Sequence, residues 1–310
     1  MSDIILHHYP QSPVAEKVRA ALGLKRASYA SVEIPRIPPK PDLMPLTGGY
    51  RRTPVMQIGA DIYCDSACIC DELEQRLPEP SLHPAGNRGL TELLEQMISG
   101  EVFLNAVRIA LGANLASLPP ELAADRGRLY FGPDHDLARE AAQLPNVIAQ
   151  TRATLASIDR QLADGGPFLF GELPGLADVL VHQIVWFIEG RYADGPALIA
   201  AFPALAAWWE RFRSIGHGTA HDLSSTEALD IARDTKPATP AHVEENDPQA
   251  LTLSGRVAIQ PNGDGGDPPV KGAVQFASIS RIAILRDDPR VGEICIHFPR
   301  AGYRVDVLDG

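Results

Sequence analysis

The first 80 residues alternate short apolar runs with amphipathic stretches. The apolar runs that predict strands cover residues 3–9, 29–34, 55–58 and 62–64. Apolar side chains recur every three or four positions from Pro13 to Leu22 and again from Ser66 to Leu77, which predicts two helices. The predicted order is β-α-β-loop-β-β-α, with a proline-rich loop over residues 35–50.

The next part of the chain, residues 88–233, keeps helical spacing almost throughout. We expect its first long helix to be interrupted near Gly100 and a helix over 137–162 to be kinked or divided at Pro145. The neighbouring Trp208 and Trp209 are expected in the core. This part is therefore predicted to be an all-helical domain.

The last part of the chain changes character again. After a linker rich in proline and acidic residues, strand-like runs and glycine-rich turns fill residues 250–310. We interpret them as a small mostly-β domain with no chemical motif, in which alternation along the strands exposes His297 and Arg300. The predicted domains are an α/β domain over 1–80, a helical domain over 88–233 and the β domain over 250–310.

Composition and charge mainly exclude some classes of partner and location. The formal net charge is −11, which disfavours nucleic acid and anionic membranes as partners. The longest apolar stretch, residues 176–188, is too short and too polar to span a bilayer. The four cysteines show neither a disulfide framework nor paired zinc spacing, so we expect no metal and a reducing compartment. With no signal-peptide pattern at the start, the expected location is the cytoplasm.

Two features beside the predicted hairpin could bind the two ends of one ligand. Thr53 precedes Pro54, so its backbone is held extended and can pair with a peptide. Asp65 and Ser66 stand where a helix begins, so free N–H groups attract a carboxylate while Asp65 can hold an ammonium group. Taken singly, each feature is also an ordinary turn or helix cap. Together they suit a peptide with a zwitterionic head group, and glutathione is such a peptide.

Four motifs, in this order, resemble those of the soluble glutathione S-transferase superfamily. They are Ser12-Pro13 with Lys17-Val18-Arg19 after it, Thr53-Pro54-Val55, Asp65-Ser66, and residues 170–178. The resemblance spans roughly residues 3–230, so it leaves the β domain outside. It implies an α/β thioredoxin-like domain followed by an all-α domain, a cis peptide bond before Pro54, and homodimers.

The fourth motif departs from the family pattern at one position. Family members commonly place a serine or threonine where a buried helix begins, answered three residues later by an aspartate in a capping box. Here Gly175 stands at the cap and Asp178 answers it. We expect this change to weaken a folding element and to leave the chemistry untouched.

The resemblance also implies roles for residues of the first domain. A free cysteine thiol has a pKa of about 8.5, so a glutathione transferase must stabilise the thiolate. A hydroxyl at a helix N-terminus can donate to that thiolate, which makes Ser12 our first candidate and Tyr9 its competitor. The Thr53 backbone would pair with the cysteinyl unit, and Arg52 or Lys40 would meet the glycyl carboxylate.

Serine at position 12 favours conjugation, isomerisation or thiolytic cleavage, because a serine cannot form the mixed disulfide of redox chemistry. Our first hypothesis is a glutathione transferase that takes glutathione as cosubstrate and a hydrophobic electrophile bound near residues 98–108. The second is a non-catalytic protein of this fold whose C-terminal β domain binds a protein partner. The third is an isomerase or lyase that uses the same site.

Overall fold

The computed structural model of the chain describes residues 4–263 and 265–308. They form two compact units, which we call the sheet unit and the helical unit. No helix in these described ranges is both long and apolar enough to cross a membrane. The sheet unit takes the residues up to Val18, Ala27–Glu72 and the residues from Thr219 onward; the helical unit takes Arg19–Arg26 and Leu73–Gly218.

The chain begins with the predicted β-α-β-loop-β-β-α order. Its elements are β1 (Ile5–His8), α1 (Pro13–Leu24), β2 (Ser28–Glu33), α2 (Met44–Thr47), β3 (Val55–Ile58), β4 (Asp61–Cys64) and α3 (Ser66–Arg76). Strand β1 runs parallel to β2 and antiparallel to β3, and β3 pairs with β4 through a turn in which Gly59 has a φ of +59°. This arrangement confirms the thioredoxin-like N-terminal domain.

The helical unit confirms the predicted all-α part. Its elements are α4 (Arg88–Met97), a π-helical segment (Ile98–Val102), α5 (Phe103–Asn114), α6 (Pro120–Phe131), α7 (Leu137–Ala142), α8 (Leu144–Gly165), α9 (Leu176–Arg191), α10 (Gly195–Ala200) and α11 (Pro203–Arg213). The predicted interruption near Gly100 is the π-helical segment, where this glycine leaves helical geometry. Pro145 divides the predicted helix, because it stands in the first turn of α8.

Asp178 anchors the start of the buried helix α9. Its Oδ2 accepts a hydrogen bond from the backbone N–H of Gly175 at 3.0 Å. Its Oδ1 accepts from the N–H of Leu169 at 3.0 Å and from Nε1 of Trp208 at 2.8 Å. Both predicted core tryptophans are buried. The aspartate therefore keeps its half of the capping box although the cap residue has no side chain.

The C-terminal strands extend the sheet of the first domain. The remaining elements are β5 (Thr219–Asp222), α12 (Ser225–Arg233), β6 (His242–Val243), β7 (Arg256–Pro261), β8 (Val270–Ala277), β9 (Arg281–Asp288), β10 (Gly292–Pro299) and β11 (Tyr303–Val307). Strand β10 lies parallel to β4, so the sheet runs β11-β7-β8-β9-β10-β4-β3-β1-β2-β5, and β6 pairs with β8. The pairing covers the edge that β4 would otherwise leave open.

One core serves both parts of the sheet unit. Leu46 and Tyr50 from the proline-rich loop belong to the same buried cluster as Ile284, Ile296 and Phe298 from the C-terminal strands. The strands predicted after residue 250 are therefore present as a β region, continuous with the first domain. The three predicted domain ranges, 1–80, 88–233 and 250–310, remain a prediction.

The predicted exposure of His297 and Arg300 is wrong. The His297 side chain is fully buried, and Arg300 is half-buried with an ion pair to Asp247 at 2.6 Å. Alternation failed for His297 because β10 is a central strand, paired with β9 on one side and β4 on the other. Central strands that are covered on both faces do not alternate between core and solvent.

Candidate functional site

Ser12 lies where β1 has ended and α1 begins. Its Oγ accepts a hydrogen bond from the backbone N–H of Ala15 at 3.1 Å, so it caps the helix as Ser-Pro at a helix start predicts. Its own N–H donates to the carbonyl of Tyr9 at 3.2 Å, which closes the turn after the strand. Among the described residues, the hydroxyl proton of Ser12 has no acceptor. The hydroxyl can therefore donate to a thiolate while it continues to cap α1.

Tyr9, the competing candidate, is packed beside Lys40. The Lys40 ammonium lies 5.8 Å from the centre of the Tyr9 ring, within the range of a cation–π contact, and both side chains are buried. Lys40 also donates to Oγ1 of Thr53 at 2.8 Å and to the carbonyl of Arg51 at 2.9 Å. The loop thus brings Lys40 to the segment before Pro54, and the Thr53–Pro54 bond is cis, as the family resemblance implies.

Asp65 and Ser66 form the start of α3 in an unusual backbone shape. Asp65 has a φ of +76°, in the left-handed region, and its Oδ1 accepts from the N–H of Ala67 at 2.9 Å. A residue other than glycine keeps such a conformation only where its surroundings hold it, and these positions concentrate at ligand sites. The Oγ of Ser66 accepts from the ammonium of Lys17 at 3.1 Å.

Lys17 was missed by the sequence reasoning as a member of the site. It falls on the polar side of the α1 pattern, yet its side chain is buried. A buried ammonium adds positive charge at the N-terminus of α3, where the helix dipole is also positive. The combination favours a carboxylate at Ser66. The only sequence signal was the presence of Lys17 in the first of the four motifs.

Two residues from the C-terminal strands and turns contact the predicted ligand-binding residues. The Tyr303 hydroxyl donates to Oδ2 of Asp65 at 3.0 Å. The Asp267 carboxylate accepts two hydrogen bonds from the Arg52 guanidinium, at 2.6 Å and 3.0 Å. The Asp267 side chain is 2% exposed, and Arg51 lies 3.6 Å from its second oxygen. Asp65 and Arg52 therefore each hold an internal partner.

The electrostatics around Tyr303 reinforce this contact. Burial raises the pKa of Tyr303 well above its usual value, and the negative charge of Asp65 raises it further. The hydroxyl thus keeps its proton and remains a donor to Asp65. Sequence reasoning could not find Tyr303 or Asp267, because turn and strand patterns do not tell which distant segment a loop will meet.

The helical unit contains a small cavity beside residues 98–108, where the electrophile is predicted to bind. The cavity is lined by Ile98, Val102, Asn105 and Thr151, and its volume is about 10 Å³. That volume holds about one water molecule. The Thr151 hydroxyl, which is buried without a partner among the described residues, is a suitable contact for such a water.

Comparisons with known protein families agree with the two units. A family described as glutathione S-transferase, N-terminal domain, matches residues 6–81. A family described as glutathione S-transferase, C-terminal domain, matches residues 141–211. No curated protein matches the chain.

Solved structures extend the likeness. A GST-like protein from Pseudomonas syringae is 35% identical, the alignment covers 99% of this chain and 100% of that one, and the TM-score is 0.82. A glutathione S-transferase from Rhodospirillum rubrum is 23% identical over 68% of this chain and 88% of its own, with a TM-score of 0.52. A glutathione transferase family member from Pseudomonas fluorescens, solved with two glutathione bound, is 15% identical over the same shares, with a TM-score of 0.53.

The two kinds of similarity carry different weight. At identities of 23% and 15%, the R. rubrum and P. fluorescens proteins share the fold alone with this chain. The P. syringae protein, by contrast, is aligned over nearly the whole chain, including the C-terminal strands. The β region is therefore a feature that these two proteins have in common.

Proposed function

Because the chain belongs to the glutathione S-transferase superfamily, we propose that it binds glutathione and stabilises the glutathione thiolate with the Ser12 hydroxyl, for attack on a hydrophobic electrophile. The observation that carries the proposal is the Ser12 hydroxyl, which caps α1 and keeps its proton available. Tyr9 is the alternative donor, since it lies in the same turn. Conjugation is the first reaction to test, with isomerisation and thiolytic cleavage as reactions of the same thiolate.

The energies involved are sufficient for this role. A hydrogen bond to a charged group contributes about 1.5–3 kcal/mol, and a helix terminus contributes about 0.3–1 kcal/mol. At about 1.4 kcal/mol per pKa unit, the two lower a thiol pKa by about 1.5–3 units. A thiol that starts near a pKa of about 8.5 then has a pKa of about 7 or below, so the thiolate dominates at neutral pH.

The other groups of glutathione would bind the remaining predicted residues. The γ-glutamyl carboxylate would bind the N–H groups and hydroxyl at Ser66, beside the buried Lys17, and the ammonium group would bind Asp65. The Thr53 backbone would pair with the cysteinyl unit, and Arg52 or Lys40 would meet the glycyl carboxylate. The P. fluorescens protein holds glutathione in this fold; the proposal extends that ligand to this chain.

The assembly and location proposed from the family resemblance also have support. Helix α4 exposes Leu90, Leu93 and Met97, which lie on one side of the helix at spacings of three and four residues. Such an apolar stripe suits burial against a second copy in a homodimer. The four cysteines are buried thiols outside any disulfide, which supports a reducing compartment such as the cytoplasm.

A second candidate function is a non-catalytic member of the fold, whose C-terminal β region binds a protein partner. The observation that favours it is the occupation of Asp65 by Tyr303 and of Arg52 by Asp267. If those contacts persist in solution, the head group and the glycyl carboxylate of glutathione lose their partners. The two candidates therefore differ in one measurable property, which is glutathione binding.

The test is calorimetric titration of the full chain with glutathione, beside the variant Asp65→Asn. Asparagine tolerates the left-handed backbone of Asp65 but removes its charge, so the comparison isolates the ammonium contact. We expect binding by the wild type and a loss of about tenfold or more in the variant, the worth of one charged hydrogen bond. A wild type that does not bind overturns the proposal and leaves the second candidate.

The thiolate donor is identified by the ultraviolet absorbance of bound glutathione across pH. We expect Ser12→Ala to raise the pKa of the bound thiol and to abolish most conjugation, and Tyr9→Phe to leave both near wild type. Ser224→Ala is the matched control, because Ser224 caps α12 by accepting a hydrogen bond from Glu227 N–H at 3.2 Å and donating one to the Glu227 carboxylate at 2.6 Å, so its loss costs a helix cap away from the proposed site. The opposite result for the first two variants would assign the role to Tyr9.

A further inference from the structure

A cluster of buried polar side chains lies where β4 meets β10, outside the proposed glutathione site. Cys295 of β10 pairs with Asp61 of β4, and His297 pairs with Tyr63. Side chains two residues apart on a strand share a face, and directly paired residues on neighbouring strands do too. Asp61, Cys295 and His297 are therefore on one face of the sheet.

The polar atoms of these three side chains converge. The carboxylate oxygen, the thiol sulfur and an imidazole nitrogen all lie within 4.8 Å of one another, and all three residues are buried. Oδ1 of Asp61 lies 3.0 Å from Nε2 of His297. The Thr239 hydroxyl covers the group, at 2.5 Å from that oxygen and 3.1 Å from that nitrogen.

The His297 ring is held so that one nitrogen faces the group. It stacks on Tyr63 with the ring centres 4.3 Å apart. Nε2 faces Asp61 and Thr239, whereas Nδ1 is buried with no hydrogen-bond partner in the described part of the chain. Nε2 is therefore the nitrogen that faces the centre of the cluster, and a ligand there would replace its contacts with Asp61 and Thr239.

We propose that Asp61, Cys295 and His297 bind a structural Zn²⁺ ion. Thiolate sulfur, imidazole nitrogen and carboxylate oxygen are the three ligand types that zinc takes in proteins, and the Thr239 oxygen or a water completes four-fold coordination. Zinc bonds of about 2.0–2.3 Å place neighbouring donors about 3.5 Å apart. The Asp61–His297 pair thus separates by about half an ångström, a small side-chain rotation.

The charge of the cluster suits this ion. Binding displaces the proton of the Cys295 thiol to solvent, and the thiolate and the Asp61 carboxylate then balance the two charges of Zn²⁺. A neutral metal site is favourable where an unbalanced charge would be costly. The ion would join β4 to β10, the pairing through which the strands after residue 250 meet the N-terminal strands in the described sheet. Because the site is buried, it would fill as the sheet forms.

The test measures metal content and metal-dependent stability of the full chain. We expect about one zinc per chain by mass spectrometry of metals after growth with Zn²⁺. We expect unfolding in a chelator, followed by refolding with or without Zn²⁺, to give a higher melting temperature in the zinc sample. Refolding with Co²⁺ should give a thiolate-to-cobalt absorption band.

Variants assign the ligands. Cys295→Ser and His297→Gln should each lose the cobalt band and the melting-temperature difference, whereas Cys70→Ser, a buried cysteine on α3, should keep both. If a ligand variant fails to fold, the chelator and refolding experiment on the wild type still decides. Zinc well below one per chain with no melting-temperature difference in the wild type overturns the proposal. Metal retained in Cys295→Ser overturns the proposal as well. The cluster then links β4 to β10 through hydrogen bonds alone.

Discussion

The hydroxyl of Tyr303 donates a hydrogen bond to the carboxylate of Asp65 across a sequence separation of 238 residues. Tyr303 also contacts the hydroxyl of Tyr50 at 3.1 Å. The proposed ligand for the ammonium group of glutathione therefore has an internal donor from the last strand. Glutathione must displace this donor or share Asp65 with it, which makes the contact measurable by ligand affinity.

We expect Tyr303→Phe to tighten glutathione binding. Removing the hydroxyl frees Asp65 from a hydrogen bond to a charged group, worth about 1.5–3 kcal/mol, so the dissociation constant should fall by about tenfold or more. Calorimetric titration measures the change, and Tyr192→Phe in the helical unit is the control. Weaker binding in Tyr303→Phe would show that the hydroxyl is a ligand contact and not a competitor.

Asp267→Asn should act at the other end of the ligand. The Asp267 carboxylate neutralises Arg52, so removing its charge frees the guanidinium for the glycyl carboxylate. We expect tighter binding of glutathione but no change for its glycyl monoester, which lacks that carboxylate. Titration of both ligands against both proteins makes the comparison. An equal gain for the ester would place the effect elsewhere in the site.

How much of the site the sequence predicts depends on how local its signals are. Ser12 and Asp65 were predicted from their neighbours, because a cap and a helix start depend on a few adjacent residues. Tyr303 and Asp267 were not, because their contacts depend on how strands more than 200 positions later join the sheet. Lys17 was missed since a buried lysine and an exposed one have the same place in a helical pattern.

The fold was likewise predicted where its sequence signals are local and missed where it depends on distant segments. The β-α-β-loop-β-β-α order and the helical part followed from periodicity, and Gly100 and Pro145 marked true interruptions. The strands after residue 250 were also predicted, but not their partner, because an apolar run does not specify which edge it pairs with. The burial of His297 results from that pairing with β4, so the sequence pattern could not predict it either.

Gly175→Ser should destabilise the helical unit, although serine is the better cap by itself. A Cβ at Gly175 would lie 2.8 Å from the carbonyl oxygen of Leu82 and 3.0 Å from Cδ of Pro84. That carbonyl is fixed by the N–H of Leu176 at 2.7 Å. Overpacking of this kind costs about 1–3 kcal/mol, more than the roughly 0.3 kcal/mol by which a serine cap exceeds a glycine cap.

Chemical denaturation of Gly175→Ser and of Gly190→Ser measures the difference. Gly190 lies inside α9, and nothing lies within 4 Å of an added Cβ there. Its replacement should be neutral or slightly stabilising, because serine has the higher helix propensity. A gain in stability for Gly175→Ser would mean that the loop at Leu82 moves aside and that the missing hydroxyl had weakened the helix start.

Leu93→Glu should separate the proposed dimer. The side chain is 63% exposed at the centre of the stripe on α4, so a charge there should not disturb the core but would be buried without a partner in an interface. Analytical ultracentrifugation should find dimers in the wild type and monomers in the variant. Leu173→Glu, an equally exposed leucine in a loop, is the control and should remain dimeric. A monomeric wild type would refute the assembly.

Stability should fall in mild acid because of His7 in β1. Burial lowers the pKa of His7 to about 4, against the partly offsetting hydrogen bond to Gln57 at 2.8 Å. An unfolded chain binds the proton below pH 6.5, while the folded chain stays neutral until about pH 4. The free energy of unfolding therefore drops by about 1.4 kcal/mol per pH unit across this window, or about 3 kcal/mol in all.

His7→Gln isolates this contribution, because glutamine cannot titrate and still offers an amide to Gln57. We compare the free energy of unfolding at pH 7 and pH 4.5 for the wild type, His7→Gln and His221→Gln, an exposed histidine on β5. Acid should cost His7→Gln about 2–3 kcal/mol less than the wild type, because these two proteins share every other titrating group, whereas His221→Gln, changed at an exposed position, should lose as much as the wild type. Equal losses of unfolding free energy in all three proteins would mean that His7 gains its proton while the chain stays folded. Solvent would then reach the ring more easily than its burial in the sheet implies.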